Sequence, residues 1–131
     1  MQSGRNSIMV LDDESELVTL FSTMLKKNGY DVAGFTSPIE ASEDFKFNHD
    51  RYALVISDIR MHQMNGFEIV RNVRSVDDKI KVILMTAFEV QKQEFEKVFP
   101  KTKVDEFIEK PIPLSKLVQI VSKYAGTMQP H

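Results

Sequence analysis

The chain has 131 residues, 42% hydrophobic and 27% charged, with a formal net charge of −2. This is the balance of one ordinary globular domain with a full core, and it excludes a disordered or membrane chain. The small net charge makes no electrostatic case for nucleic acid or an anionic membrane, and the absence of cysteine rules out disulfides and thiolate metal sites and fits the cytoplasm.

Residues 1–7 (MQSGRNS) lack the apolar stretch of a signal peptide, and no apolar run is long enough to span a bilayer. The first strand is expected at Ser7–Leu11, ending on Asp12, Asp13 and Glu14. From Ser15, the residues Leu17, Leu20, Phe21, Met24 and Leu25 follow helical spacing, and Gly29 supplies a stop. Asp31–Phe35 reads as a short second strand. Ser37 and Pro38 then give an N-cap and a first helical position. That second helix runs to about Asn48 with Ile39, Ser42 and Phe45 inward, and it is the least amphipathic of the set.

Tyr52–Asp58 is an apolar run rich in branched residues, expected as a central strand buried on both faces. A polar loop leads to Gly66 and a third helix with Phe67, Val70 and Val73 inward. Lys81–Thr86 is the fourth strand. A weaker helix from Phe88 to Phe99 is stopped by Pro100. Glu106–Lys110 is the fifth strand. Pro113 starts the last helix, which turns Leu114, Leu117, Val118 and Val121 inward. The expectation is a single domain over 1–131, with its core at about 7–124 and flexible tails at 1–6 and 125–131. Five alternations of strand and helix point to an α/β fold, a doubly wound five-stranded parallel sheet with five helices.

In a sheet of that kind, ligands bind beyond the C-terminal strand ends. Those ends carry Asp12, Asp13, Asp58, Thr86 and Lys110. Three neighbouring carboxylates resist full ionisation, and a hard cation such as Mg²⁺ relieves them. Lys110 offers a movable charge for a phosphate oxygen, and Thr86 a hydroxyl. Asp58 is then a carboxylate nucleophile for a phosphoryl group. Each residue alone has a plainer role. The acidic run favours a helix N-terminus, Asp58 caps a turn, Thr86 ends a strand, and Lys110 is a solvated lysine. Their joint occurrence at four converging strand ends favours the site.

With these motifs, the chain resembles the receiver domain of two-component response regulators, of the chemotaxis-receiver type, over about residues 7–124. The matching features are Asp12-Asp13-Glu14, Asp58-Ile-Arg-Met61 with Met64-Asn-Gly66, Thr86-Ala87 and Lys110-Pro111. The resemblance implies the flavodoxin-like strand order 2-1-3-4-5. It implies phosphorylation of Asp58 by the phosphohistidine of a sensor histidine kinase or phosphotransfer protein. Asp13, Asp58 and the backbone carbonyl of Arg60 would hold Mg²⁺ directly, and Asp12 through water. Lys110 would bind the phosphoryl group and Thr86 would swing toward it. Phe107 would change rotamer with Thr86, switching the surface of the fourth helix, fifth strand and last helix for an output partner or a homodimer. The Lys110–Pro111 bond matches the family's cis peptide. The implied protein is a cytoplasmic signalling domain that assists its own phosphorylation and dephosphorylation, not a turnover enzyme.

Some positions depart from the family pattern. His62 stands where the loop usually has proline, and it reads as a surface-loop histidine without a catalytic partner. Phe107 replaces a more familiar tyrosine. Arg60 and Phe88 occupy the places that tune phosphorylation and hydrolysis rates. Residues 99–105 lack the usual small side chains. Two other classes compete: a binding module that no longer switches, and a flavin carrier or phosphohydrolase on a similar sheet. Asp12-Asp13-Glu14 would repel a flavin phosphate, and Arg60 stands where an aspartyl phosphohydrolase carries a second aspartate. The seven residues after the last helix hold no output domain, so the chain reads as a free-standing receiver or a piece of a longer regulator.

Overall fold

A computed structural model describes residues 6–87, 97 and 104–126. Strands β1 (Ser7–Leu11), β2 (Asp31–Phe35), β3 (Tyr52–Asp58), β4 (Lys81–Thr86) and β5 (Glu106–Glu109) form one parallel sheet in the order β2-β1-β3-β4-β5. This is the expected doubly wound, flavodoxin-like sheet. The described helices are α1 (Ser15–Lys27), α2 (Pro38–Asn48), α3 (Gly66–Val76) and a last helix at Leu114–Ala125. The expected helix from Phe88 to Phe99, with its stop at Pro100, lies outside the described residues except for Lys97. So do 1–5 and 127–131 of the expected tails.

Strand alternation splits the core into two layers. On one face Ile8, Val10, Leu54, Ile56, Ile83, Met85 and Ile108 pack under α1 and the last helix. On the other face Met9, Leu11, Val55, Val82 and Leu84 pack under α2 and α3. Successive side chains point to opposite faces, so a strand with helices above and below must be apolar at every position. β1 and β3 meet that demand: all of β1 and six of the seven residues of β3 are buried. Each fully buried Ile or Leu contributes about 1.5–3 kcal/mol.

The inner faces of α1 and α2 differ from the sequence expectation, and in α3 Ile69 is buried while Phe67 is half-buried. In α1 the buried positions are Val18, Phe21 and Leu25, while Leu20 is 45% exposed. The reason lies on β2, where Gly34 has no side chain. A Cβ there would lie 2.6 Å from the Val18 Cγ1 atom, so the glycine gives Val18 its inner seat. In α2, Pro38, Ala41 and Phe45 are buried, while Ile39 is 44% exposed and Ser42 sits half-buried beside α3. The small Ala41 permits close packing, and Ile39, one residue from Pro38, is turned about 100° off that face.

The helix ends bear out the local signals. Gly29 has φ 93°, and the N–H groups of Gly29 and Tyr30 donate to the Lys26 and Leu25 carbonyls. That pairing closes α1 as a Schellman motif. The Ser37 side chain accepts from the Glu40 N–H at the start of α2. At α3, Asn65 Oδ1 accepts from the Glu68 N–H at 2.9 Å and Glu68 Oε1 accepts from the Asn65 N–H at 3.0 Å, a complete capping box. Asn65→Ala is expected to lower stability by about 1 kcal/mol, read as a reduced urea midpoint in far-ultraviolet circular dichroism.

Candidate functional site

The C-terminal ends of β1, β3, β4 and β5 meet at one edge of the sheet. β3 ends at Asp58 and β4 at Thr86, both buried. Lys110 follows β5 directly, and its N–H donates to the Thr86 carbonyl at 2.8 Å, extending the ladder by one step. The Lys110–Pro111 bond is cis. Asp12 follows β1; its N–H donates to the Phe35 carbonyl, and its Oδ1 accepts from the Glu14 N–H at 3.0 Å.

The Lys110 ammonium is the electrostatic centre of this edge. Its Nζ lies 2.7 Å from Asp12 Oδ2, 3.4 Å from Asp58 Oδ2 and 3.6 Å from Glu14 Oε1. Burial pulls the lysine pKa down, but the Asp12 hydrogen bond and the charges of Asp58, Asp12 and Glu14 outweigh it and push it above the ordinary value. One ammonium does not satisfy the whole cluster. Asp58 is raised from 3.8 to about 6. Burial is the main cause and the Asp12 charge adds to it, while Lys110 and the Ile59 N–H pull the other way.

Asp12, Asp13 and Asp58 each offer a carboxylate oxygen within 4.8 Å of the others. This donor set is all oxygen and carries more negative charge than Lys110 neutralises. It fits a hard divalent cation of the Mg²⁺ kind, which takes one or two carboxylates and keeps several waters. Beside it opens a cavity of about 230 Å³, lined among others by Asp13, Asp58, Arg60, Thr86 and Lys110. Arg60, expected to contribute its carbonyl, therefore borders the same space. Phe107 is half-buried. It pairs in register with Leu84 of β4 and packs against the α2–α3 layer.

Two residues play a larger part in the geometry than their sequence suggests. Glu14 joins the Lys110 network, a contact foreshadowed only by its place in the acidic run. His62 is a surface-loop histidine as expected, with a side chain 92% exposed, but it does have a partner: its Nδ1 lies 2.9 Å from Asp13 Oδ2. The two are 49 residues apart, and no local pattern announces the contact.

The family described as "Response regulator receiver domain" matches residues 8–122. This chain belongs to that family. The receiver is 29% identical over 117 residues to chemotaxis protein CheY of Thermotoga maritima, covering 88% of the chain and 94% of that protein. It is also 29% identical over 121 residues to the phosphoglycerate transport system transcriptional regulatory protein PgtA of Salmonella typhimurium. That match covers 92% of the chain but only 28% of PgtA. Among solved structures, the response regulator TrrA of Thermotoga maritima has a TM-score of 0.75 and 28% identity, covering 91% of the receiver and 98% of that chain. A receiver domain protein from Clostridium thermocellum has a TM-score of 0.80 at 23% identity, with 91% and 93% coverage, and likewise shows the fold.

Proposed function

We propose that this receiver domain is a Mg²⁺-dependent phosphorylation switch. Asp58 is the acceptor, and a sensor histidine kinase or phosphotransfer protein supplies the phosphoryl group. The observation that carries this reading is a buried carboxylate held 3.4 Å from a lysine ammonium at the wall of an open acidic cavity. TrrA, the 28% identical relative, was crystallised in complex with Mg²⁺–BeF.

A carboxylate oxygen of Asp58 attacks the phosphorus. The bond from phosphorus to the donor's nitrogen or oxygen breaks, and its electron pair leaves with the donor. The product is an aspartyl acyl phosphate, which water can later cleave. Lys110, already bound by neighbouring carboxylates, turns its charge to the transferring oxygens. Thr86 offers its hydroxyl from the end of β4. Bound between Asp12, Asp13 and Asp58, the cation would neutralise charge on the same oxygens. The added charge of about one to two units at a strand end then biases Thr86 and Phe107. Through them it reaches the β5 and last-helix surface, where an output partner or a second copy docks. Among the described residues no helix is long and apolar enough to cross a membrane, and a cytoplasmic location belongs to the same proposal.

The test is to incubate the protein with Mg²⁺ and a small acyl phosphate donor and to weigh it intact. The expected result is a gain of one phosphoryl group that disappears in Asp58→Asn and in chelator. No gain in the wild type, or an undiminished gain in Asp58→Asn, overturns the reading.

A further inference from the structure

Of the three clustered aspartates, two share Lys110: Asp12 at 2.7 Å and Asp58 at 3.4 Å. Asp13 is outside that arrangement. Among the described residues, its recorded side-chain partner is His62, with Nδ1 2.9 Å from Oδ2. A carboxylate oxygen accepts, so the ring nitrogen donates and the contact fixes the tautomer.

The loop that presents His62 is itself held. The Met64 N–H donates to the His62 carbonyl at 2.8 Å across Gln63, which has φ 74°. Three-residue turns with a positive φ at a residue that carries a Cβ are rare and strained. At the far end, the Gly66 N–H donates to the Ile59 carbonyl at 2.8 Å and pins the loop to the end of β3. The histidine backbone is therefore anchored on both sides while its ring stands in solvent against Asp13.

We infer that His62 is a positioning residue for the divalent-cation site, holding the carboxylate of Asp13 in the orientation that its Mg²⁺ complex requires. This rests on the metal-site reading above. Asp12 and Asp58 are held by the half-buried Lys110. Asp13 is half-exposed, and without His62 its carboxylate rotates freely and must be ordered at each binding event. A hydrogen-bond partner behind a metal-binding carboxylate removes that cost. The contact joins the β3–α3 loop to the β1–α1 loop, so it also ties together two loops that both furnish ligands. The imidazole acts through Asp13 and is not placed on the ion.

The experiment compares Mg²⁺ dissociation constants of the wild type, His62→Ala and His62→Asn. They are read from backbone amide shifts of Asp13 and Arg60 during Mg²⁺ titration, with no phosphodonor present. The exposed ring makes both variants fold as the wild type does, which circular dichroism checks. His62→Ala is expected to weaken Mg²⁺ binding about 10-fold, the lower end of the range for outer-shell partners. His62→Asn, whose amide nitrogen can stand in for Nδ1, is expected to stay within about twofold of the wild type. If His62→Ala binds as well as the wild type or better, or if His62→Asn is as weak as His62→Ala, the inference falls and the metal site stands. If the wild type shows no saturable response to Mg²⁺, the metal-site reading falls and takes this inference with it.

Discussion

Gly66→Ala is expected to destabilise the receiver by about 2–4 kcal/mol, the upper range for overpacking against atoms that cannot turn aside. A Cβ at this position would lie 2.6 Å from the Asp58 carbonyl oxygen and 2.9 Å from the Ile59 Cα atom. Both are backbone atoms, so no side-chain rotation relieves the clash. The first residue of α3 must withdraw from the end of β3, which breaks the Gly66 N–H bond to the Ile59 carbonyl. The strand end that moves is the one carrying Asp58, so Mg²⁺ affinity should fall with stability. Gly34 offers a useful contrast, because its clash is with a side-chain methyl of Val18 and is cheaper to relieve. Urea unfolding followed by circular dichroism reads the change. A Gly66→Ala protein within about 0.5 kcal/mol of the wild type would show that the contact is not tight.

Asp58→Asn should have the opposite effect: in chelator at pH 7 it is expected to stabilise the domain by about 2–3 kcal/mol. Burial and Asp12 hold the native carboxyl at about 6, whereas the same group ordinarily titrates at 3.8. Between those values the native state binds more protons than the unfolded state, so wild-type stability declines as pH rises through that window. At about 1.4 kcal/mol per pH unit, the gap approaches 3 kcal/mol once the pH exceeds 6. Asparagine has the same shape and no charge to desolvate. The advantage of the variant should therefore be near zero below pH 4, grow to pH 6, and level off above it. Saturating Mg²⁺ should stabilise the wild type and remove most of the difference, since a ligand that binds only the native state adds to its stability. Equal stabilities at pH 7 in chelator, or a less stable Asp58→Asn, would mean that the carboxylate is already compensated without a cation.

Both predictions concern an arrangement that is partly legible in the amino-acid order. The strands are legible because burial on two faces demands unbroken branched apolar runs, and Ser7–Leu11, Tyr52–Asp58 and Lys81–Thr86 have little else they can be. The polar residue that ends each run is legible too. Given a parallel sheet, Asp12, Asp58, Thr86 and Lys110 must come to the same edge. Helix ends written in local chemistry, such as Ser37-Pro38 and Gly29, could likewise be read directly. The Asn65–Glu68 box is equally local, a pair of side chains three residues apart that closes the start of α3.

Other features depend on partners distant in the chain. Helical periodicity narrows the inner face to a sector, but within that sector the facing strand chooses. Val18 rather than Leu20 is inward because Gly34 leaves room for it, and Ala41 rather than Ile39 because a small residue lets α2 approach the sheet. The sharing of Lys110 among Asp12, Asp58 and Glu14, and the reach of His62 to Asp13, are likewise products of folding. Sequence alone determined the sheet, its doubly wound class and the kinds of side chain at its edge, because those follow from local pattern and chain handedness. Tertiary structure alone decided which charges pair and how far Asp58 is desolvated, because Coulomb and burial energies depend on distances that only the folded chain sets.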